Sequence, residues 1–196
     1  MKKQINSLIT KGMWCAIILF VIRCLISFEE IKHGISAYLI WGFAGEAIGA
    51  SALVMVVYEK WLWKFDPFVK TPNICGSYSG TIDSSFDSQQ RKAFLTIKQT
   101  LLSVDIKLKT DESTSRAVSA SIEEVFGENE LVYTYLNEPK SKVRDRSEIH
   151  FGTATFVLDG SDHLVGKYYT DRKTVGDLDF HKESTKHSGV TENGAV

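Results

Sequence analysis

Nine side chains near the ends of extended segments are equipped for recognition chemistry: Tyr78, Gln99, Ser113, Ser115, Tyr135, Asn137, Tyr168, Thr170 and Arg172. Tyrosine faces stack on nucleobases, at roughly 1–3 kcal/mol per base. An arginine fork grips a phosphate through two parallel hydrogen bonds. Hydroxyls and amides read base edges and ribose. The set therefore suits a nucleotide pocket. Tyrosine is also a good strand former, and for any one of these residues taken alone an ordinary barrel surface is the favoured reading, by about two to one.

No bond-breaking chemistry accompanies them. The chain has no nucleophile motif, no Walker loop and no GxGxxG fingerprint. His33, His150, His163, His181 and His187 show no metal-ligand spacing. The carboxylates read as solvated strand faces. Cys15, Cys24 and Cys75 make neither a disulfide framework nor a zinc pattern, which suits a reducing compartment. The expectation is a protein that is not an enzyme and holds no metal or cofactor.

Two charges lie in apolar surroundings and call for a partner. Arg23 interrupts an apolar run over 12–28, and Glu46 interrupts a second over 35–58. Each costs ~2.5–3.5 kcal/mol at the centre of a membrane helix. A spanning helix needs roughly 20 apolar residues, so the pair of runs reads as a transmembrane hairpin. Its turn is the polar Glu29-Glu30-Ile31-Lys32-His33-Gly34. Centred near Lys32, such a hairpin puts Arg23 opposite Ile40, about six residues or ~9 Å from Glu46. A pair would form only with both side chains stretched. Otherwise Arg23 snorkels outward, or Glu46 faces a helix seam or a wet pore. Gly45 and Gly49 form a GxxxG pair, flanked by Gly42 and Ala52, which lets helices approach closely within the hairpin or between copies.

Lys2, Lys3 and Lys11 precede the first run, but Arg23 breaks its core and no A-x-A-like site follows, so the helix is retained rather than cleaved. Lys60, Lys64 and Lys70 follow the second run, and Lys32 stands alone in the turn. The positive-inside rule puts both termini in the cytoplasm, with Trp14, Trp61, Trp63 and Phe65 as an aromatic belt.

The remainder has a different period. Residues 64–74, with Asp66-Pro67 and Thr71-Pro72, read as a stiff linker. Beyond it, apolar and polar residues alternate, as in Val104, Ile106 and Leu108, and again in Leu131, Tyr133 and Tyr135. Eight strands are expected, at about 75–82, 92–100, 103–110, 115–125, 130–136, 148–158, 163–170 and 175–182. Short links between them point to a closed eight-stranded antiparallel β-barrel, whose interior is filled by side chains or holds one small ligand. The divisions are then a hairpin over 1–63, a linker over 64–74, a barrel over 75–182 and a disordered tail over 183–196. The net charge of −1 on 196 residues argues against a polymeric nucleic-acid partner.

Certain segments carry a family resemblance. In order they are Cys75-Gly76-Ser77-Tyr78-Ser79-Gly80, Thr96-Ile97-Lys98-Gln99-Thr100, Ser113-Thr114-Ser115, Leu131-Val132-Tyr133-Thr134-Tyr135-Leu136-Asn137-Glu138-Pro139, Gly152-Thr153-Ala154 and Gly166-Lys167-Tyr168-Tyr169-Thr170-Asp171-Arg172. Behind a helical hairpin, this order resembles the two-transmembrane, β-strand-rich effectors of bacterial CBASS anti-phage defence, associated with cyclic-oligonucleotide synthases of the CD-NTase class. The resemblance implies a cytoplasmic barrel that binds a cyclic dinucleotide made on infection. It further implies homo-oligomeric assembly of the membrane segments, disruption of the inner membrane and death of the infected cell. On geometric grounds, Arg172 is expected on a phosphate, Tyr78 and Tyr135 on bases, and Gln99, Ser113, Ser115, Asn137 and Thr170 in hydrogen bonds. Arg23, Gly45, Glu46 and Gly49 are expected at the assembly seam. The rival readings are a membrane-tethered lipocalin-like carrier, with an apolar interior open at one end and no response to nucleotides, and a protein-binding scaffold, with a filled one.

Overall fold

The computed structural model describes residues 2–32, 37–86, 89–158 and 160–183. His33, Gly34, His187 and the tail beyond Glu183 lie outside the described residues. The chain divides into two compact units, one helical and one a barrel.

The helical unit is an antiparallel hairpin of α1 (Lys2–Ile26) and α3 (Ala37–Lys60), with a short α2 (Phe28–Lys32) in what the sequence suggests is a plain turn. Lys3–Ile26 and Tyr38–Lys60 are long and apolar enough to cross a membrane, at 24 and 23 residues. The first helix starts well ahead of residue 12, because Lys2–Lys11 contains no Gly or Pro to stop it. The seam on α3 is Phe43, Ala47 and Ser51, spaced one turn apart and buried.

The hairpin register differs from the expected one. Arg23 stacks over the Phe43 ring at 4.3 Å, about three residues beyond Ile40. That shift removes ~4.5 Å of axial distance. Arg23 Nε then donates to Glu46 Oε2 at 2.9 Å without strain, and Arg23 Nη1 donates to Ser27 Oγ at 2.5 Å.

The end of this unit is pinned to the linker. Lys11 and the Tyr58 hydroxyl both bond Asp66, whose other carboxylate oxygen accepts from the Phe68 amide at 2.9 Å. These donors hold the Asp66 carboxyl down at about 2. Gln4 Nε2 donates to Thr71 Oγ1 at 2.6 Å. Trp63 departs from the expected aromatic belt. The 3-10 turn Leu62–Phe65 buries it, while Trp14, Trp61 and Phe65 stay exposed.

The second unit is a closed antiparallel barrel in simple meander order: β1 (Gly76–Ser84), β2 (Gln90–Gln99), β3 (Val104–Thr110), β4 (Ser113–Val125), β5 (Glu128–Pro139), β6 (His150–Leu158), β7 (His163–Thr170) and β8 (Val175–Lys182), with β8 pairing back to β1. Period-two alternation sends one face of each strand inward, as in β2, where Ala93, Leu95, Ile97 and Gln99 are buried and Lys92, Phe94, Thr96 and Lys98 exposed. The β4–β5 hairpin turns through Phe126 and Gly127, both at positive φ, the pattern a two-residue type I′ turn requires.

The two ends of the barrel differ. At the end where β1 begins, Tyr78, Leu95, Ile97, Leu131, Phe156, Leu164 and Phe180 fill the interior completely. Phe156 bridges Tyr133 and Phe180 at centroid separations of 6.2 and 6.1 Å, aromatic contacts that add ~0.5–1.5 kcal/mol each to their area burial. The other end is hollow.

Candidate functional site

A cavity of about 130 Å³ opens to solvent at the hollow end. In a meander barrel this end collects the ends of odd strands and the starts of even ones. Its floor is apolar: Leu108, Leu178, Ala154 and Tyr133. Its walls carry Tyr135, Tyr168, Asn137, Ser115 and Thr170, and its rim Arg91, Arg146, Arg172 and Phe86.

Two glycines make room for the aromatic walls. Gly152 lies opposite Tyr135 in the β5–β6 register, and a Cβ there would stand 2.4 Å from the tyrosine ring. Gly176 lies opposite Tyr168, where a Cβ would again meet the ring at 2.4 Å. Each ring therefore lies flat along the wall instead of crossing the cavity. Burial pushes the Tyr133 and Tyr135 phenols far up, the second helped by Tyr168 and Asp171, so both remain neutral donors. The Tyr168 hydroxyl donates to Ser84 Oγ at 2.8 Å.

The polar wall is organised in advance of any ligand. Ser115 Oγ donates to Asn137 Oδ1 at 2.8 Å, which orients the Asn137 amide. Thr110 Oγ1 and Ser113 Oγ share a hydrogen bond of 3.2 Å across the β3–β4 turn. Thr170 Oγ1 and Thr174 Oγ1 share one of 2.6 Å across the β7–β8 turn.

Arg172 sits in that last turn. The Lys173 amide donates to the Thr170 carbonyl at 3.1 Å, and Lys173 follows at φ 63, a turn with a left-handed closing residue. The Asp171 amide donates to the Phe151 carbonyl at 3.1 Å, and the Phe151 amide returns to Asp171 Oδ2 at 3.2 Å, tying the turn to β6. The turn thus aims Arg172 at the cavity. Its guanidinium lies 5.7 Å from the Phe86 ring centroid and touches Ser147 Oγ only at 3.5 Å. Its Nε is buried without a hydrogen-bond partner, and no carboxylate pairs with it among the described residues. Arg146, by contrast, bonds Glu112, and Arg91 Nε lies 3.8 Å from the same carboxylate. The lining therefore holds three guanidinium groups against one carboxylate, a net of two positive charges.

Of the residues singled out by sequence, Ser113, Ser115, Tyr135, Asn137, Thr170 and Arg172 line the cavity. Tyr78 and Gln99 do not join them. Tyr78 begins β1 and Gln99 ends β2, which places both at the filled end. The Tyr78 ring is 0% exposed, with its hydroxyl 2.9 Å from the Ile74 carbonyl and 2.8 Å from the Ser161 carbonyl. Gln99 Nε2 donates to the Pro72 carbonyl at 2.9 Å. Both are structural groups, with no face left for a base. Tyr133, Arg91 and Arg146 line the cavity although sequence reasoning passed over them. Period two carries the signal for the first two: Tyr133 shares a face with Tyr135, and Arg91 with Ala93. Arg146 belongs to a loop, where no period operates.

A family model described as Cap15, cyclic dinucleotide receptor domain, matches residues 69–182. CD-NTase-associated protein 15 of Staphylococcus schleiferi is 33% identical over 187 residues, covering 93% of this chain and 99% of that protein.

Proposed function

The chain belongs to the Cap15 family of CBASS effectors, whose barrel is a cyclic dinucleotide receptor domain, and from that premise we propose that the hollow end of the barrel is where the ligand binds. The observation that carries this reading is Arg172: a guanidinium fixed by its turn at the cavity rim, with a buried Nε that no group among the described residues satisfies. A phosphodiester oxygen supplies the missing acceptor. A cyclic dinucleotide brings two phosphodiesters, matching the net positive charge of the lining. Tyr135 and Tyr168 offer flat faces for its bases, while Asn137, Ser113, Ser115 and Thr170 offer donors and acceptors to base edges.

In this reading both termini and the barrel are cytoplasmic, where the second messenger is made, and the bound barrel promotes assembly of hairpins in the inner membrane. Two features of the helical unit support assembly. A Cβ at Gly42, Gly45 or Gly49 would meet nothing within 4 Å, so this face is not used inside the hairpin. Glu46 keeps 62% of its side-chain surface exposed despite its bond to Arg23, an arrangement costly against lipid and relieved by a neighbouring helix. Accumulated assemblies then breach the membrane.

The test is calorimetric titration of the full chain in detergent with a panel of cyclic dinucleotides. One of them is expected to bind with 1:1 stoichiometry per barrel. Arg172→Glu should weaken it by ~100-fold or more, given ~1.5–3 kcal/mol for a charge-assisted bond plus the reversed charge, with the far-ultraviolet spectrum unchanged. Unaltered affinity in that variant would remove Arg172 from the site. Saturable binding of a fatty acid, and of no nucleotide, would favour the carrier reading.

A further inference from the structure

On the outer wall of the barrel, away from the cavity, three side chains with metal-binding atoms converge. His163 of β7 and His181 of β8 are directly opposed in the strand register, and Asp179 lies two residues before His181 on the same outward face. The Lys182 amide donates to the Asp162 carbonyl at 2.8 Å, which makes the neighbouring His163–His181 pair the narrow, non-hydrogen-bonded kind that brings side chains closest. The two imidazole rings lie parallel, 4.1 Å between centroids and 6° between planes. His163 Nε2 stands 2.7 Å from Asp179 Oδ1, and His181 Nε2 stands 3.6 Å from the same oxygen. One ligand atom from each residue fits within 4.8 Å of the others.

We propose that His163, Asp179 and His181 form a binding site for a divalent transition-metal ion, with Zn²⁺ the first expectation. Ligands to one tetrahedral zinc at ~2.0–2.2 Å stand about 3.4 Å apart. The His181–Asp179 separation already meets that. The His163–Asp179 hydrogen bond must open by roughly 0.7 Å, which small rotations of two exposed side chains provide. Two imidazoles and one carboxylate select zinc, nickel or copper over magnesium and calcium, which take oxygen ligands. The outward residues paired with Asp179 and His181 are Ser79 and Thr81 of β1 and Val165 of β7, so no paired neighbour is cationic. A three-ligand set leaves at least one coordination position to water. The bound ion cross-links β7 to β8.

The experiment is titration of tag-free full-length protein in detergent with ZnCl₂, followed by calorimetry and by thermal unfolding. One equivalent is expected to bind and to raise the unfolding midpoint, and MgCl₂ in excess should not compete. Co²⁺ should give visible d–d absorption of a tetrahedral or five-coordinate N,O site. Asp179→Asn should weaken zinc at least 10-fold, and His163→Ala with His181→Ala should abolish both the binding and the cobalt spectrum. All three positions are exposed, and the circular dichroism of each variant checks the fold. Zinc affinity unchanged in the double variant, or no binding by the parent protein, would overturn the proposal.

Discussion

Tyr78 and Tyr135 both point into one barrel, and their positions along its axis separate their roles. Tyr78 is sealed at the filled end, where burial, with Asp162 and Cys75 nearby, pushes its phenol up to about 12. It remains a hydroxyl donor to the Ile74 and Ser161 carbonyls across the physiological range. Tyr78→Phe removes the hydroxyl hydrogen bonded to those carbonyls and should cost about 0.5–1.5 kcal/mol. Thermal unfolding should show the loss, and titration should show unchanged ligand affinity. A loss of affinity with intact stability would instead return Tyr78 to the binding site. Tyr135 contrasts because Gly152 lets its ring lie against the wall with one side to the cavity. Arg172 belongs to the same scale. A single turn with a left-handed Lys173 fixes where its charge sits.

Among the elements, the linker is held by a titratable group with a lowered pKa. Asp66 draws together Lys11 of α1, Tyr58 of α3 and the Phe68 amide. Its folded pKa of about 2 lies below the ordinary value of 3.8. The folded form thus binds fewer protons between those values, and the stabilisation is complete above pH ~4 and lost as pH falls through 2. Limited proteolysis with pepsin should therefore cut beside Phe65 and Phe68 increasingly from pH 4 to pH 2, relative to a reference peptide. Asp66→Asn should be cut equally at both pH values. Equal cutting of the parent chain would show that Asp66 does not hold the linker.

For the whole molecule, the proposed mechanism requires that a ligand event in the barrel alter how hairpins associate. Only a few kcal/mol of differential affinity is needed to tip such an equilibrium. Gly49 faces away from the Phe43–Ala47–Ser51 seam, so Gly49→Leu is tolerated within a single hairpin and obstructs only packing between copies. Cells carrying this variant should survive when the cyclic dinucleotide is produced, while the purified protein binds ligand with parental affinity. Death at the parental rate would remove the small-residue face from the assembly seam. Of the rival readings, the scaffold called for a filled barrel and the carrier for an apolar interior open at one end, which the apolar floor matches and the charged rim does not. The cavity is hollow and has three arginines on its rim.

Much of this was readable from local sequence. Two apolar runs and eight period-two segments determined the hairpin and the strand count, because a strand's alternation and a helix's length are encoded within each segment. The sequence placed Tyr135, Asn137, Ser115 and Thr170 near strand ends, and their inward orientation came with the structure. Meander order, followed through, would have set Tyr78 and Gln99 apart from them, since the start of β1 and the end of β2 fall at the end opposite the start of β4 and the ends of β5 and β7. Three things were decided by tertiary structure alone: which end is filled and which is hollow, the three-residue shift that joins Arg23 to Glu46, and the meeting of His163 with Asp179 and His181. The physical reason is common to all three. Packing depth, hairpin register and cross-strand pairing are set by contacts between residues far apart in the chain, and no local period carries that information.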